Sequence, residues 1–406
     1  MNAQVSFLGG TVNLIHIPLS LYASFLEPIL KVLLPLSRGD TTNDNSFINI
    51  SVTPLECSVV CNSAWARDVF EPAIRRLPAN LSKSVTISKD AYAVLSFTSA
   101  GMDAGSRVAD LTSPLALASI PIFFITTYYA DFILVPVKDI AAVVKLLLEK
   151  GFTFSEDEGS SPVFTTFSAA HHARGWSGGG SSFGNAASGD PPTTPPPSTV
   201  TELQERTFST LKSRNVLPYV EPFLTLVQCS GREVSELASN QFGSSHRRNG
   251  SCTAASSASS SSAPRHPYWA DTVDPRLYTA LVAALVSHPR FLSLTLAQGD
   301  PPSMLMDRNL LSIFGDSVVG PTTEERGFVL VPIFLDLKDL PTEVTGIVSG
   351  VAGRLMREMG DEGSGGEDDG ELELSYLSTA RAGAVILHSE RSVRALKVLM
   401  PLLSKK

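Results

Sequence analysis

Asp131 is the only acidic residue between Asp110 and Asp139, and it opens the apolar run DFILV directly after a turn. A carboxylate in that position either satisfies hairpin amides or faces a cationic ligand at a module interface, since charge-assisted bonds to a guanidinium are strong and geometrically specific. Gly346, Gly350 and Gly353 form a second pattern, a stripe of small residues at helical spacing. Such a stripe either packs a helix tightly against a sheet or, with Thr342 or Thr345 capping the first turn, leaves backbone N–H groups for a ligand carboxylate.

The remaining reactive side chains do not assemble into a catalytic set. SGGG at 177–180 has the look of a phosphate cradle but no helix follows it, and there is no P-loop, HExxH or GxSxG, nor a GxGxxG after a strand. Of the seven histidines, His171 and His172 fall in a low-complexity stretch, His16 reads as a satisfied core residue of a strand, and His388 ends another strand. Cys57, Cys61, Cys229 and Cys252 form no CxxC pair and have no histidine beside them to complete a metal site, so they read as reduced thiols of a cytoplasmic protein. A nucleophile or base oriented by a second group is missing, and the expectation is a non-enzyme without cofactor or metal.

The elements that position these residues follow from bulk composition and pattern. The chain has 406 residues, 43% of them hydrophobic and 18% charged, with a formal net charge of −8. It is long enough for several small domains. An acidic balance speaks against nucleic acid and against an anionic membrane surface. The stretch from Met1 to Leu26 is uncharged but lacks the basic start of a signal peptide, and Asn13, His16 and Pro18 interrupt it. It is therefore read as a buried strand and helix rather than a membrane insertion.

Residues 155–200 and 244–266 are rich in Gly, Ser, Thr or Pro and are expected to be disordered linker and insertion, and the acidic, glycine-rich stretch 360–370 reads as a solvated loop. On either side of the first of these the chain repeats. ITTYYADFILVPVKDIAAVVKLL from Ile125 aligns without a gap on LSTARAGAVILHSERSVRALKVL from Leu377, at a constant offset of 252. SVVCNSAWARDVF from Ser58 parallels SMLMDRNLLSIFG from Ser303. Alternating and 3.6-period apolar patterns over residues 91–154 give the order β-α-β-β-α-β, and the last eighty residues read the same way, with a final helix ending before Pro401. In the first unit SFLGGTVNLIHI is expected to be one strand, and the first strand of the third unit is placed in YVEPFLTLVQ. The predicted class is α+β, four tandem ferredoxin-like modules in two duplicated pairs: 1–80, 81–154, 201–327 and 328–406.

At ITTYYADFILV, supported by GIVSGVAGRL from Gly346, LSTARAGAVIL from Leu377, LTLAQGDPPSMLMD from Leu294 and TPLECSVV from Thr53, the chain resembles the CASTOR family of ACT-domain arginine sensors, which act upstream of the TOR kinase through the GATOR complex. It is similar to a divergent, fungal-type member. The resemblance implies four ACT modules with an amino acid held between the second and fourth, a cytoplasmic regulator binding a protein complex of the TOR pathway, and a homodimer. It places the ligand at Pro121 and Ile122, at Val344, Thr345, Gly346 and Val348, and at Thr379, Ala380 and Gly383. Two of these depart from the family pattern: Pro121 has neither hydroxyl nor N–H, and Gly383 stands where an aspartate pairs with arginine, with Arg381 nearby. The resemblance thus implies either a sensor of arginine or another free amino acid, or a ligand-independent interaction module of the same fold.

Overall fold

The computed structural model describes residues 4–34, 46–98, 106–155, 197–233, 273–320, 329–341, 343–360 and 373–405. The serine-rich insertion, the acidic loop beyond Gly360, nearly all of the linker, and Thr342 lie outside them. The first half runs β1 (Gln4–Phe7), β2 (Val12–Ile17), α1 (Tyr22–Leu33), β3 (Phe47–Val52), β4 (Cys57–Asn62), short helical turns over 63–82, β5 (Thr86–Ile87), β6 (Tyr92–Thr98), α2 (Arg107–Leu117), β7 (Phe123–Thr126), β8 (Asp131–Pro136), α3 (Ile140–Glu149) and β9 (Thr153–Phe154). The second half begins with α4 (Val200–Ser213). It continues with β10 (Pro218–Tyr219), β11 (Leu226–Gly231), α5 (Pro275–Val286), β12 (Leu292–Ala297), β13 (Ser303–Asp307), a helical turn over 311–314, β14 (Val318–Val319), β15 (Leu330–Asp336), α6 (Ile347–Gly360), β16 (Ser375–Ser378), β17 (Ala382–His388) and α7 (Ser389–Leu403).

From β1 to α3 and from β10 to α7 the two halves share this order, and β9 has no counterpart among the described residues of the second half. The strands form two broad sheets. One follows β9-β1-β6-β8-β7-β16-β17-β15-β10, the other β5-β2-β4-β3-β12-β13-β11-β14, so each sheet takes strands from both halves. Single pairs, Val12↔Tyr92 and Leu226↔Leu330, join the two and close a ring of 12 strands. Period-2 alternation then sorts the side chains. Leu95, Phe97, Ile133 and Val135 point outward onto α2, α3, α4, α6 and α7, whereas Val94, Phe132, Leu134, Phe334 and Ile386 point inward and fill the space between the sheets. The other sheet turns Ile15, Val59, Leu292 and Met306 onto α1 and α5. Both faces of each sheet are buried, which explains why the strands read as nearly continuous apolar runs.

Several expectations are corrected. SFLGGTVNLIHI is two strands in different sheets, since the chain turns at Gly10 (φ 76°) and β1 pairs with β6 and β9. YVEPFLTLVQ likewise divides between β10 and β11, which pair in different sheets. The last helix runs through Pro401 to Leu403, because fully buried Leu399 and Leu403 hold the turn that the proline alone would weaken. Helix α4 lies on α6, α2 and α7, with Phe208 and Leu211 in their core.

Candidate functional site

The halves meet along two seams of unlike construction. β3 and β12 form a continuous antiparallel ladder from Phe47↔Ala297 to Val52↔Leu292. Beneath it Asn49 Nδ2 donates to Ser293 Oγ (3.2 Å) and Thr295 Oγ1 (3.0 Å), and Ser51 donates to Asn49 Oδ1 (2.7 Å). β7 and β16 share one backbone pair, Ile125↔Leu377. Hydroxyls replace the rest of that ladder: Phe124 N–H donates to Ser378 Oγ and Tyr376 N–H donates to Thr126 Oγ1, both at 3.0 Å. A side-chain hydroxyl reaches further from its strand than a carbonyl does, so this edge stands open.

In the opening lies a cavity of about 140 Å³, room for on the order of ten waters. Thr112 and Ala116 of α2, with Ile122 and Phe123, wall it from the first half. From the second half come the loop from Leu337 to Pro341, Val344, the first turn of α6, Tyr376 and Ser378 of β16, and the β16–β17 turn. Gly346 adopts φ 84°, which a residue with a Cβ rarely reaches, and this bend turns the chain into α6. The first intrahelical bond, Gly350 N–H to Gly346 O (2.7 Å), leaves the amides of Ile347 to Ser349 without i−4 acceptors at the cavity wall.

The glycine stripe faces α4, not the sheet. A Cβ at Gly346 would stand 2.7 Å from Leu203 Cδ1, one at Gly350 2.9 Å from Thr207 Cγ2, and one at Gly353 2.8 Å from Gln204 Nε2. Thr207 also donates its hydroxyl to Gly346 O at 3.2 Å.

Tyr376 lies at the bottom of the site, 1% exposed, and its hydroxyl has no hydrogen-bond partner among the described residues. Burial pushes that phenol well up, so it stays a neutral hydroxyl. Gly383 faces it across the hairpin, and a Cβ there would collide with the hydroxyl. The charged residues of the wall are Lys338 and Arg381, with no carboxylate among the lining residues. Lys338 Nζ meets Asp336 at 2.9 Å. The turn carrying Arg381 is fixed from outside: Arg381 N–H (2.7 Å) and the Thr379 hydroxyl donate to Glu56 Oε1, Ala380 N–H donates to Ser58 Oγ (3.1 Å), and the other oxygen of Glu56 pairs with His16. The first half repeats the serine anchor, Tyr128 N–H donating to Ser303 Oγ at 2.8 Å.

Asp131, at the first-half position equivalent to Gly383, is 1% exposed and pairs with Arg107, the residue that opens α2. Desolvation raises its pKa, and Arg107 opposes the rise. The protein supplies this carboxylate with a cation of its own.

Of the residues expected at the site, Ile122, Val344, Gly346, Val348, Thr379 and Ala380 line the cavity. Pro121 and Thr345 are half-buried beside it without being part of its wall. Gly383 stands behind Tyr376. Tyr376, Ser378 and Lys338 were not read from the sequence. Tyr376 carried a signal, since at the 252 offset it answers Phe124 and adds a hydroxyl. The buried thiols are pushed up by desolvation, Cys229 to about 12. Among the described residues no His, Cys, Asp and Glu cluster fits a metal, and no helix is long and apolar enough to cross a membrane.

A search of curated proteins finds no match to the chain. Among solved structures, protein Atu0741 from Agrobacterium tumefaciens is 18% identical over 38% of this chain and 93% of its own, with a TM-score of 0.26. Aspartate kinase from Synechocystis is 12% identical over 99% of this chain and 56% of its own, TM-score 0.31. The regulatory subunit of aspartate kinase from Thermus thermophilus is 15% identical over 36% of this chain and 95% of its own, TM-score 0.24. Residues 87–149, from the end of β5 to the end of α3, match the sequence family of the ACT domain.

Proposed function

We propose that the chain is a non-enzymatic regulatory protein of four ACT-type modules that binds a free amino acid in the cavity at the β7–β16 seam and passes its occupancy to a protein partner. One observation carries this reading: the seam between the ACT-matched segment and its repeat is held open around a walled cavity with free helix amides on one side and an unpartnered buried hydroxyl beneath. A small-molecule site combines apolar walls with a few placed polar groups, as here. The TTYYADFILVP resemblance favours a nutrient sensor of the TOR pathway, working in the cytoplasm through a regulatory complex.

A thermal-shift screen of the full chain against the twenty amino acids at millimolar concentration tests the reading. A ligand that binds only the folded state adds about 2.7 kcal/mol at a hundredfold excess over Kd, an easily measured rise in Tm. No shift with any of them removes the amino-acid site.

A further inference from the structure

We infer that Glu56, a first-half residue outside the cavity, is the positioning residue of the cavity's β16–β17 wall. As a statement about a binding site this rests on the amino-acid reading above, and it names the group that sets the wall in place. Glu56 is 1% exposed and ends the turn between β3 and β4. Thr53 fixes its backbone: the Thr53 N–H (2.9 Å) and hydroxyl (3.1 Å) donate to Glu56 O, and Thr53 Oγ1 accepts from Glu56 N–H (3.2 Å). The carboxylate reaches across to the other sheet. One oxygen accepts from the Thr379 hydroxyl and from Arg381 N–H (2.7 Å), and the other pairs with His16 of β2. Thr379, Ala380, Arg381 and Ala382 all line the cavity.

A buried carboxylate is costly unless donors satisfy it, and here the donors come from two sheets. The Thr379 hydroxyl that donates to Glu56 also accepts Ala382 N–H (3.1 Å), so one oxygen both closes the turn and docks it. Shifting the wall therefore strips an anion that is also bonded to β2. The repeat supplies the contrast. Two residues before Ser58 stands Glu56, and two residues before its counterpart Ser303 stands Pro301, whose side chain accepts nothing. Both hairpin turns keep the serine anchor, Ala380 N–H on Ser58 and Tyr128 N–H on Ser303. The turn that gains the carboxylate is the one that walls the cavity.

Hydrogen–deuterium exchange of the full chain without added amino acid reads the positioning. Glu56→Ala should speed exchange over 376–388 about tenfold, the weight of a lost bond to a charged acceptor, and leave 123–136 unchanged. Glu56→Gln keeps an oxygen at the same reach and should restore most of the protection. Glu56→Asp keeps the charge but ends one methylene short, and should not. Titration with the amino acid that raises the wild-type Tm most should rank the variants alike, Ala and Asp about tenfold weaker and Gln near wild type. Exchange that rises in both hairpins together or in neither, or a Glu56→Ala variant that binds that amino acid as the wild type does, overturns the role. If no amino acid shifts the wild type, the amino-acid reading falls and the exchange comparison still decides whether Glu56 positions the wall. Should Glu56→Ala fail to fold, the contrast between Gln and Asp carries the same test.

Discussion

The β7–β8 and β16–β17 hairpins lie in the same sheet, at matching places in the repeat, and resolve one problem in two ways. At the first, a buried carboxylate is matched by Arg107 across the start of α2. At the second, Tyr376 and Gly383 form a neutral contact, and space remains at the seam. Duplication supplied two equivalent frames. A buried ion pair occupies one of them, and in the other a neutral phenol stands in its place. A fold can thus hold a structural site and a ligand site in the same frame, distinguished by a few side chains.

The largest difference between the hairpins is electrostatic. Arg107→Met leaves Asp131 buried without a cation and should cost about 3 kcal/mol at neutral pH, since breaking a buried pair from one side exposes the full desolvation penalty. The sign with pH follows from the direction of the shift. Asp131 is already raised by burial, and removing Arg107 takes away the influence that lowers it, so its folded-state pKa climbs further. The stability contributed by the protonated carboxyl is complete below the ordinary range and lost as pH rises through the folded value. Urea unfolding should therefore show the Arg107→Met deficit shrinking from pH 7 to pH 4.5, and Arg107→Met/Asp131→Asn should recover most of it. A deficit independent of pH would mean that Arg107 acts by packing alone.

At the second hairpin the expected sensitivity is steric. Gly383→Ala drives a methyl into the Tyr376 hydroxyl and should cost about 2 kcal/mol, the range for overpacking a core. Tyr376→Phe in the same chain should relieve it. If the single and double variants unfold at the same urea concentration, the hydroxyl does not occupy the position opposite Gly383.

Helix α4 covers the glycine stripe of α6. Gly350→Ala gains roughly 1 kcal/mol of helix propensity, but the added methyl would stand 2.9 Å from Thr207 Cγ2. Overpacking exceeds that gain, so a net loss of about 1 kcal/mol is expected in chemical denaturation. A more stable variant would show that α4 is not seated on the stripe.

The legible part of this molecule was the part written twice. The offset of 252 located both hairpins, and apolar periodicity located α2, α3, α6 and α7, because repetition and helix amphipathicity are local signals. The splitting of residues 6–17 between two sheets was hidden, since Gly9 and Gly10 mark a turn without saying which sheet each side joins. The glycine stripe was visible, but its partner was not: α4 contacts it across more than a hundred residues of sequence, and no local pattern encodes that distance. Arg107 as the partner of Asp131 was out of reach because the pairing depends on how α2 packs over the β7–β8 hairpin, which no local pattern states. In the cavity wall, residues from the resemblance were found, whereas Tyr376 required comparing the two repeats position by position.

The smallest expected effect on stability carries the most information about the site. Tyr376→Phe removes a buried hydroxyl that lacks a partner among the described residues and lies over Gly383. Relieving an unsatisfied buried polar atom should stabilise the protein, by up to about 1 kcal/mol, whereas a hydroxyl bonded within the fold would make the same change a loss. Unfolding of Tyr376→Phe without ligand should therefore shift to slightly higher urea, while the same variant binds its amino acid less tightly. A residue selected for stability would move both quantities down together. Opposite signs are what a fold produces when it keeps a donor unpaired until a ligand arrives, and a loss of stability in the ligand-free variant would place Tyr376 with the structural residues, beside Arg107.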